Sequence, residues 1–124
     1  MEDLDLCKVV IASLVVVILL LLYHLVSVKV YRFHKPACPY CVSSQAAWDG
    51  FCSAMRFRLV RCIEIDLSTA SPADAALADN LGASSVPTVV AVFPCGRRYE
   101  HGDKLNKGDF ERTVEGYTQW VDQL

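Results

Sequence analysis

The chain has 124 residues, which is enough for one small folded domain and too few for two. Its net charge is −2, and residues 29–124 alone carry 11 basic and 11 acidic side chains, so no nucleic-acid partner is expected. The six cysteines are too unevenly spaced for a secreted disulfide scaffold, which favours one reactive pair among several single cysteines.

An apolar run of twenty residues, 9–28, follows a short acidic tail, residues 1–8. A helix of that length crosses about 30 Å, the thickness of the hydrocarbon layer of a bilayer. The acidic tail, the length of the run and the lack of a small-residue cleavage pattern favour a retained anchor over a cleaved secretory signal. We therefore predict one transmembrane helix with the lipid bilayer as a partner, and we expect His24 at the membrane interface rather than in a proton relay.

The flanking charges predict the orientation of this anchor. Lys29, Arg32 and Lys35 follow the apolar run, whereas Lys8 precedes it among acidic residues. The positive-inside rule then places the C-terminal domain, residues 29–124, on the cytosolic side of a single-pass membrane protein. A virion membrane is an alternative location, because so small an anchored domain would suit a minor component of a large-virus particle.

The remainder of the chain alternates between two patterns. Period-two segments rich in β-branched and aromatic residues indicate strands, and apolar residues recurring every three or four positions indicate helices. Strands are predicted at 29–34, 58–67, 88–93 and 97–100, and helices from residue 39, at 71–82 and at 107–121.

The predicted fold class is α/β in the order β-α-β-α-β-β-α, after the transmembrane helix. Strands separated by helices should be parallel, and the last two strands should form an antiparallel hairpin, which gives a four-stranded mixed sheet flanked by three helices. The residues expected in the core or at helix contacts are Cys41, Gln45, Trp48, Phe51, Cys52, Met55, Phe57, Phe110, Val114, Tyr117, Trp120 and Val121.

Two cysteines lie where the first strand turns into a helix, in Cys38-Pro39-Tyr40-Cys41. At a helix start, the backbone N–H groups and the positive end of the helix dipole point at the first sulfur. Such a position lowers the pKa of a thiol, so Cys38 is the predicted nucleophile. Cys41, one turn further and more buried, would attack the mixed disulfide and release the reduced product.

Residues 28–121 resemble the thioredoxin superfamily. The resemblance is carried by the Cys38-to-Cys41 motif, by Val86-Pro87-Thr88 at the start of the third strand, and by the element order. It implies a thioredoxin-like fold with a redox-active Cys38–Cys41 disulfide. It also implies a cis bond before Pro87, which packs against the dithiol, and an exposed backbone at Val86 that pairs with an extended substrate segment.

Individual residues resemble two branches of that superfamily. The Pro39-Tyr40 spacer is that of glutaredoxins, and Lys35 matches a glutaredoxin lysine that binds glutathione and lowers the thiol pKa. The third strand and the turn after it look more like those of a thioredoxin, although Arg32 stands where thioredoxins place a buried Asp. The resemblance leaves the subfamily open, and it implies no tightly bound cofactor, with glutathione as a candidate co-substrate.

The predicted function is that of a membrane-anchored thiol–disulfide oxidoreductase acting through a mixed disulfide. Pro39, Tyr40, Lys35 and Pro87 would support the site, and Lys35, Tyr40, Val86 and Pro87 would contact substrate or glutathione. The partners would be protein disulfides or dithiols, with glutathione or a reductase for recycling. A glutaredoxin-like spacer suggests a potential of roughly −200 to −230 mV.

Two other classes of function remain open. One is a structural or interaction membrane protein that keeps the fold and uses the dithiol little. The other is a glutathione-binding or cluster-carrying module. No metal site is expected, because the sequence has no second Cys-x-x-Cys and no paired histidines.

The remaining cysteines and histidines are expected to have no catalytic role. Cys52 and Cys62 are predicted to be buried free thiols. Cys95 is expected to be exposed in a hairpin turn, where it could be inert or carry a mixed disulfide. Cys7 would be a palmitoylation site only if the N-terminus were cytosolic. His34 and His101 are predicted to be surface groups.

Overall fold

The computed structural model describes residues 2–101 and 112–124. The predicted element order is confirmed after an N-terminal helix, and all four strands belong to one sheet, in the order β2-β1-β3-β4. The elements are α1 (Glu2–Val26), β1 (Val28–His34), α2 (Pro39–Ala54), β2 (Val60–Asp66), α3 (Pro72–Asn80), β3 (Thr88–Val92), β4 (Arg98–Glu100) and α4 (Val114–Asp122).

The direction of β3 corrects one prediction. β1 and β2 are parallel, with His34 opposite Asp66, whereas β1 and β3 are antiparallel, with Phe33 opposite Thr88. Strands separated by a helix are therefore not all parallel here. The connection through α3 returns the chain to the end of the sheet where β2 stops, since Asp66 lies opposite His34 and Thr88 lies opposite Phe33. β3 therefore runs back along β1.

Successive side chains of β1 point to opposite faces of the sheet, so the core has two layers. Val30 faces α2 and α4, and Phe33 faces α3 on the opposite side of the sheet. On the first side, the buried cluster consists of Val30, Trp48, Phe51, Met55, Val89, Ala91, Tyr117 and Trp120. The second cluster is smaller and consists of Phe33, Ile65 and Ala78 with partly buried neighbours. Helices therefore cover both faces, as the sequence pattern predicts.

The helix α3 begins and ends as its sequence indicates. The hydroxyl of Ser71 accepts a hydrogen bond from the backbone N–H of Asp74 at 3.2 Å, and Pro72 occupies the first helical position. Gly82 follows the helix with a positive φ of 73°, a conformation that glycine adopts without steric cost.

The bounds of α1 and α4 differ from the predictions. α1 includes most of the acidic tail and ends at Val26, and only Ser27 separates it from β1, which includes Val28. Among the described residues, α4 begins at Val114, where the hydroxyl of Thr113 accepts from the Gly116 N–H at 3.0 Å. Residues 102–111, including Phe110 and the predicted helix start at 107, lie outside the described residues.

Two aromatic side chains also differ from expectation. Phe57 is 95% exposed rather than part of the core. Met55, the C-cap residue of α2, packs in the core, and the turn formed by residues 55–59 directs Phe57 outward. His101 is half-buried rather than on the surface, and its ring centroid lies 4.6 Å from that of Tyr117 and 5.3 Å from that of Trp120.

Candidate functional site

The dithiol lies at the junction between β1 and α2. Cys38 is the N-cap residue of α2, with an extended backbone conformation, and Pro39 occupies the first turn, where its missing N–H costs nothing. The Cys38 sulfur accepts a hydrogen bond from the backbone N–H of Cys41 at 3.3 Å. The side chain of Cys38 thus takes the place that a Ser or Asp oxygen takes at an ordinary N-cap.

This environment lowers the pKa of the Cys38 thiol. The largest cause is the hydrogen bond from the Cys41 side chain, and the backbone N–H groups of Cys41 and Tyr40 add to it. The positive charge of Arg112 acts in the same direction, and burial opposes it. These donors stabilise the thiolate, which is the reactive form of cysteine.

The Cys41 thiol has the opposite property. Burial raises its pKa, because the charged form loses its hydration, and the hydrogen bond with Cys38 raises it further. The backbone N–H of Lys35 and the charge of Arg32 partly offset this effect. The two thiols are free in this structure, Cys38 half-buried and Cys41 buried. The pKa values of the two thiols are therefore shifted in opposite directions.

A buried arginine lies behind Cys41. Arg32 has a fully buried side chain, and its guanidinium Nη2 donates to the Cys41 carbonyl at 2.7 Å. Its Nη1 donates to the Glu64 carboxylate at 2.6 Å, which forms an ion pair whose acidic partner is partly exposed. Ser44 and Gln45 accept two further bonds, at 3.2 and 2.9 Å. The guanidinium therefore fixes the first turn of α2 to both strands of the parallel pair.

The loop before β3 packs against the dithiol from the other side. The Val86–Pro87 peptide bond is cis and Pro87 is buried, as the resemblance implies. The Cys38 thiol donates to the Val86 carbonyl oxygen at a sulfur-to-oxygen distance of 3.7 Å. Val86 and Pro87 are thus adjacent to the nucleophile even though 48 residues separate Val86 from Cys38.

Lys35 and Tyr40 form the outer wall of the site. Lys35 is exposed, and its carbonyl accepts from the Cys38 N–H at 3.2 Å. Tyr40 is 67% exposed beside the sulfur. A cleft of about 230 Å³ opens between Lys35, His34 and the first turn of α2, where Cys41, Val42 and Gln45 line it.

Two charged residues of the site have roles that sequence reasoning missed. In the sequence, Arg32 stands out as a flanking charge of the anchor and as a departure from the thioredoxin pattern, but neither feature predicts that the side chain is buried. The inward position of Arg32 in β1, two residues after the core residue Val30, is a signal that alternation provides. Arg112 lies within the predicted last helix, and no feature of the sequence connects it to Cys38. Only the fold brings its charge near the sulfur.

The other cysteines lie away from the dithiol, and His34 lies near it without a contact to the Cys38 sulfur. Cys52 and Cys62 are free thiols, as predicted, but they are half-buried rather than buried, and they pack against the larger core cluster. Cys95 is exposed in its turn, as expected. His34 is half-buried rather than on the surface, with its Nε2 3.6 Å from Glu64. Within residues 2–101 and 112–124, no group of three or more His, Cys, Asp or Glu side chains could hold a metal ion.

No protein-family model matches the sequence, and no curated protein matches it. Solved structures do resemble it. The chain is similar to the J-Trx1 fragment of ERdj5 (18% identity, TM-score 0.60, 78% of this chain and 42% of that one). It is also similar to the first thioredoxin domain of mouse protein disulfide-isomerase A4 (19%, 0.60, 78% and 62%) and to a malaria parasite thioredoxin-2 (14%, 0.56, 80% and 84%). At these identities the likeness shows the fold, which is thioredoxin-like.

Proposed function

We propose that this chain, whose fold is thioredoxin-like, is a membrane-anchored thiol–disulfide oxidoreductase with Cys38 as its nucleophile. The observation that carries the proposal is the asymmetry of the two thiols at the start of α2. Hydrogen-bond donors lower the pKa of Cys38, whereas burial raises that of Cys41. An attacking thiolate next to a protonated resolving thiol is what a two-step exchange requires.

In the first step, the Cys38 thiolate attacks one sulfur of a substrate disulfide. A Cys38–substrate bond forms, the substrate S–S bond breaks, and the leaving thiolate takes up a proton. In the second step, Cys41 loses its proton and attacks the Cys38 sulfur. The substrate leaves with two added electrons, and a Cys38–Cys41 disulfide remains.

A second thiol donor must then return the two electrons to the protein. Either a dithiol reductase or two molecules of glutathione would supply them, the latter leaving as glutathione disulfide. Lys35, which lines the 230 Å³ cleft, supports glutathione as a co-substrate, because an exposed ammonium group can bind a glutathione carboxylate. The exposed Tyr40, next to Cys38 and Cys41 in the chain, would add a contact. The carbonyl of Val86 and the buried Pro87 form the surface against which an extended substrate segment would pair.

Arg32 would assist the second step. Its guanidinium contacts the backbone of the residue that must become a thiolate, and its charge lowers the pKa that burial raises. The carboxylate of Glu64 limits this effect, since it partly neutralises the guanidinium. Arg32 is thus a positioning residue, and Cys38 and Cys41 are the residues that exchange bonds.

The proposed anchor is α1. It is a 25-residue helix with a mean hydropathy of 3.0 over its most apolar window and no buried residue, and a helix of this length and composition is able to cross a bilayer. The basic residues that follow it support a cytosolic C-terminal domain. Protease treatment of sealed membranes tests this orientation: the domain should be digested, and a protected domain would place it on the opposite side.

Trapping of the mixed disulfide tests the reaction. The full-length Cys41→Ser variant should accumulate a covalent adduct with a glutathione-modified peptide, because the first step proceeds and the second does not. The Cys38→Ser/Cys41→Ser double variant should form none. Wild-type protein should also reduce the peptide faster than Cys38→Ser, and equal rates would contradict the enzyme proposal and favour a structural or binding module.

A further inference from the structure

The turn between α2 and β2 exposes apolar side chains between basic ones. Phe57 is 95% exposed and Leu59 is 54% exposed, and Arg56 and Arg58 alternate with them. Large exposed side chains with no role in the core indicate a contact surface. We call residues 56–59 the basic-aromatic turn.

The basic-aromatic turn lies beside the end of α1. The backbone N–H of Val28, two residues after α1, donates to the Leu59 carbonyl at 2.9 Å. Arg61, just after the turn, places its Nη1 3.0 Å from Nδ1 of His24 in the last turn of α1. Only Ser27 separates α1 from the sheet, so the turn and the helix end cannot lie far apart.

The dithiol is at the opposite end of the same strand. β1 begins at Val28, beside the turn, and ends at His34, four residues before Cys38. Seven residues of β-strand span roughly 23 Å. A contact made by the turn therefore leaves the redox centre free.

The charge around the turn is mostly positive. Arg56, Arg58 and Arg61 are joined by Lys29 at the start of β1, and the acidic neighbour Asp122 is already paired with Arg58 at 2.8 Å. An aromatic side chain between arginines matches the boundary of a bilayer, where the ring enters the acyl region and the bases meet phosphate and carboxylate headgroups.

We infer that the basic-aromatic turn docks on the bilayer that α1 enters, with Phe57 inserted at the headgroup boundary and Arg56 at anionic lipid headgroups. The inference rests on the proposed anchoring by α1. A second contact with the membrane would stop the domain from rotating about the Ser27 junction, and it would hold the dithiol away from the lipid.

Quenching by brominated lipids tests the position of the turn. Full-length Phe57→Trp protein is reconstituted in vesicles of phosphatidylcholine and phosphatidylserine, with or without bromine on the acyl chains. The native Trp48 and Trp120 are buried in the core, and the wild-type protein gives their background. The matched control is Val42→Trp, an exposed apolar position on α2 at the dithiol end.

The added emission of Phe57→Trp should be largely lost in brominated vesicles, and that of Val42→Trp should be retained. Adding Arg56→Glu to Phe57→Trp should weaken the quenching in vesicles with phosphatidylserine. Equal quenching at both positions would overturn the inference. Emission that changes with protein concentration in unbrominated vesicles would also overturn it, because a second copy would then cover the turn.

Alkaline extraction of the same vesicles separates this inference from the proposed anchoring. If the protein is extracted, both the anchor and the docking fail, and the reaction at Cys38 is unaffected. If the protein stays in the membrane without quenching at the Phe57→Trp position, only the docking fails.

Discussion

The helix α2 carries cysteines near both of its ends, and the pKa values of Cys38 and Cys52 are shifted in opposite directions. At the start, hydrogen-bond donors lower the pKa of Cys38, which is paired with Cys41. Near the end, a hydrogen bond with Cys62 of β2 and burial raise the pKa of Cys52. Both pairs join thiols that lie close together, so proximity does not explain the difference.

The difference comes from what surrounds each sulfur. The first turn of a helix offers N–H groups without intrahelical partners, and these stabilise a thiolate. Cys52 lies beyond that turn, packs against the core, and has the carboxylates of Glu64 and Asp49 as neighbours, which disfavour a second negative charge. The place of each cysteine on the helix therefore explains the direction of its pKa shift, and the reactivity of Cys38 stays a prediction.

The largest expected effect is the loss of catalysis on removal of Cys38. Cys38→Ser should lower disulfide-reduction turnover by a factor on the order of 10³ or more, as removal of a catalytic nucleophile does elsewhere. Cys52→Ser is the matched control, and it should retain turnover near the wild-type value, because that thiol stays protonated. A loss of turnover in Cys52→Ser without unfolding would show that both pairs take part.

Removal of Arg32 should have the next largest effect. Arg32→Met leaves the Cys41 carbonyl and the partly exposed Glu64 without their charged donor, which should lower the free energy of unfolding by about 2 to 3 kcal/mol. The matched control is Arg58→Met, whose exposed pair with Asp122 should contribute less than about 1 kcal/mol. Chemical denaturation measures both values.

The Arg32→Met variant also tests how the guanidinium affects the ionisation of Cys41 and Cys52. Loss of the guanidinium should raise the pH at which Cys41 is alkylated, because its charge stabilises that thiolate, and Cys52 should be unaffected. Equal stability losses in Arg32→Met and Arg58→Met would show that the buried network contributes no more than an exposed pair.

The pH dependence of alkylation should distinguish Cys38 from Cys52 directly. A lowered pKa keeps more of Cys38 as thiolate at a given pH, so its reaction with iodoacetamide should reach half its maximal rate at a lower pH than that of an unperturbed thiol. The raised pKa of Cys52 moves its midpoint above that of an unperturbed thiol. Mass spectrometry of each cysteine after timed labelling measures the midpoints, and coincident midpoints would contradict the assigned environments.

The sequence was sufficient to locate the dithiol, because a strand pattern ending at His34 and a Pro at residue 39 together predict a helix start. The cis bond before Pro87 was predicted only through the resemblance, since 48 residues separate Val86 from Cys38 and no local pattern connects them. The redox roles of these residues stay predictions.

The features that sequence reasoning missed depend on the packing of distant segments. The antiparallel direction of β3 depends on which end of the sheet the chain reaches after α3, and the exposure of Phe57 follows from the turn that ends α2. The hydrogen bond between Cys52 and Cys62 depends on how closely α2 packs against β2. The spacing of residues within either segment does not show that distance.

The smallest expected effect concerns Gly50, which lies on α2 close to Cys52. A β-carbon at this position would come within 2.7 Å of Cγ2 of Val114 on α4, and the β-branched valine has little freedom to move away. Gly50→Ala gains about 1 kcal/mol of helix propensity, but crowding of this kind costs about 1 to 3 kcal/mol. The variant should therefore be less stable than the wild type by roughly 1 kcal/mol.

A second substitution, Val114→Ala, tests whether the contact between residue 50 and Val114 causes the loss of stability. Adding Val114→Ala to Gly50→Ala removes the crowded methyl groups, so the double variant should regain part of the loss relative to the sum of the two single changes. The alkylation rate of Cys38 should stay constant throughout, because its donors lie three turns away. A gain in stability in Gly50→Ala alone would show that α4 can shift, and that the contact between α2 and α4 leaves the Cys52 end of the helix free to adjust.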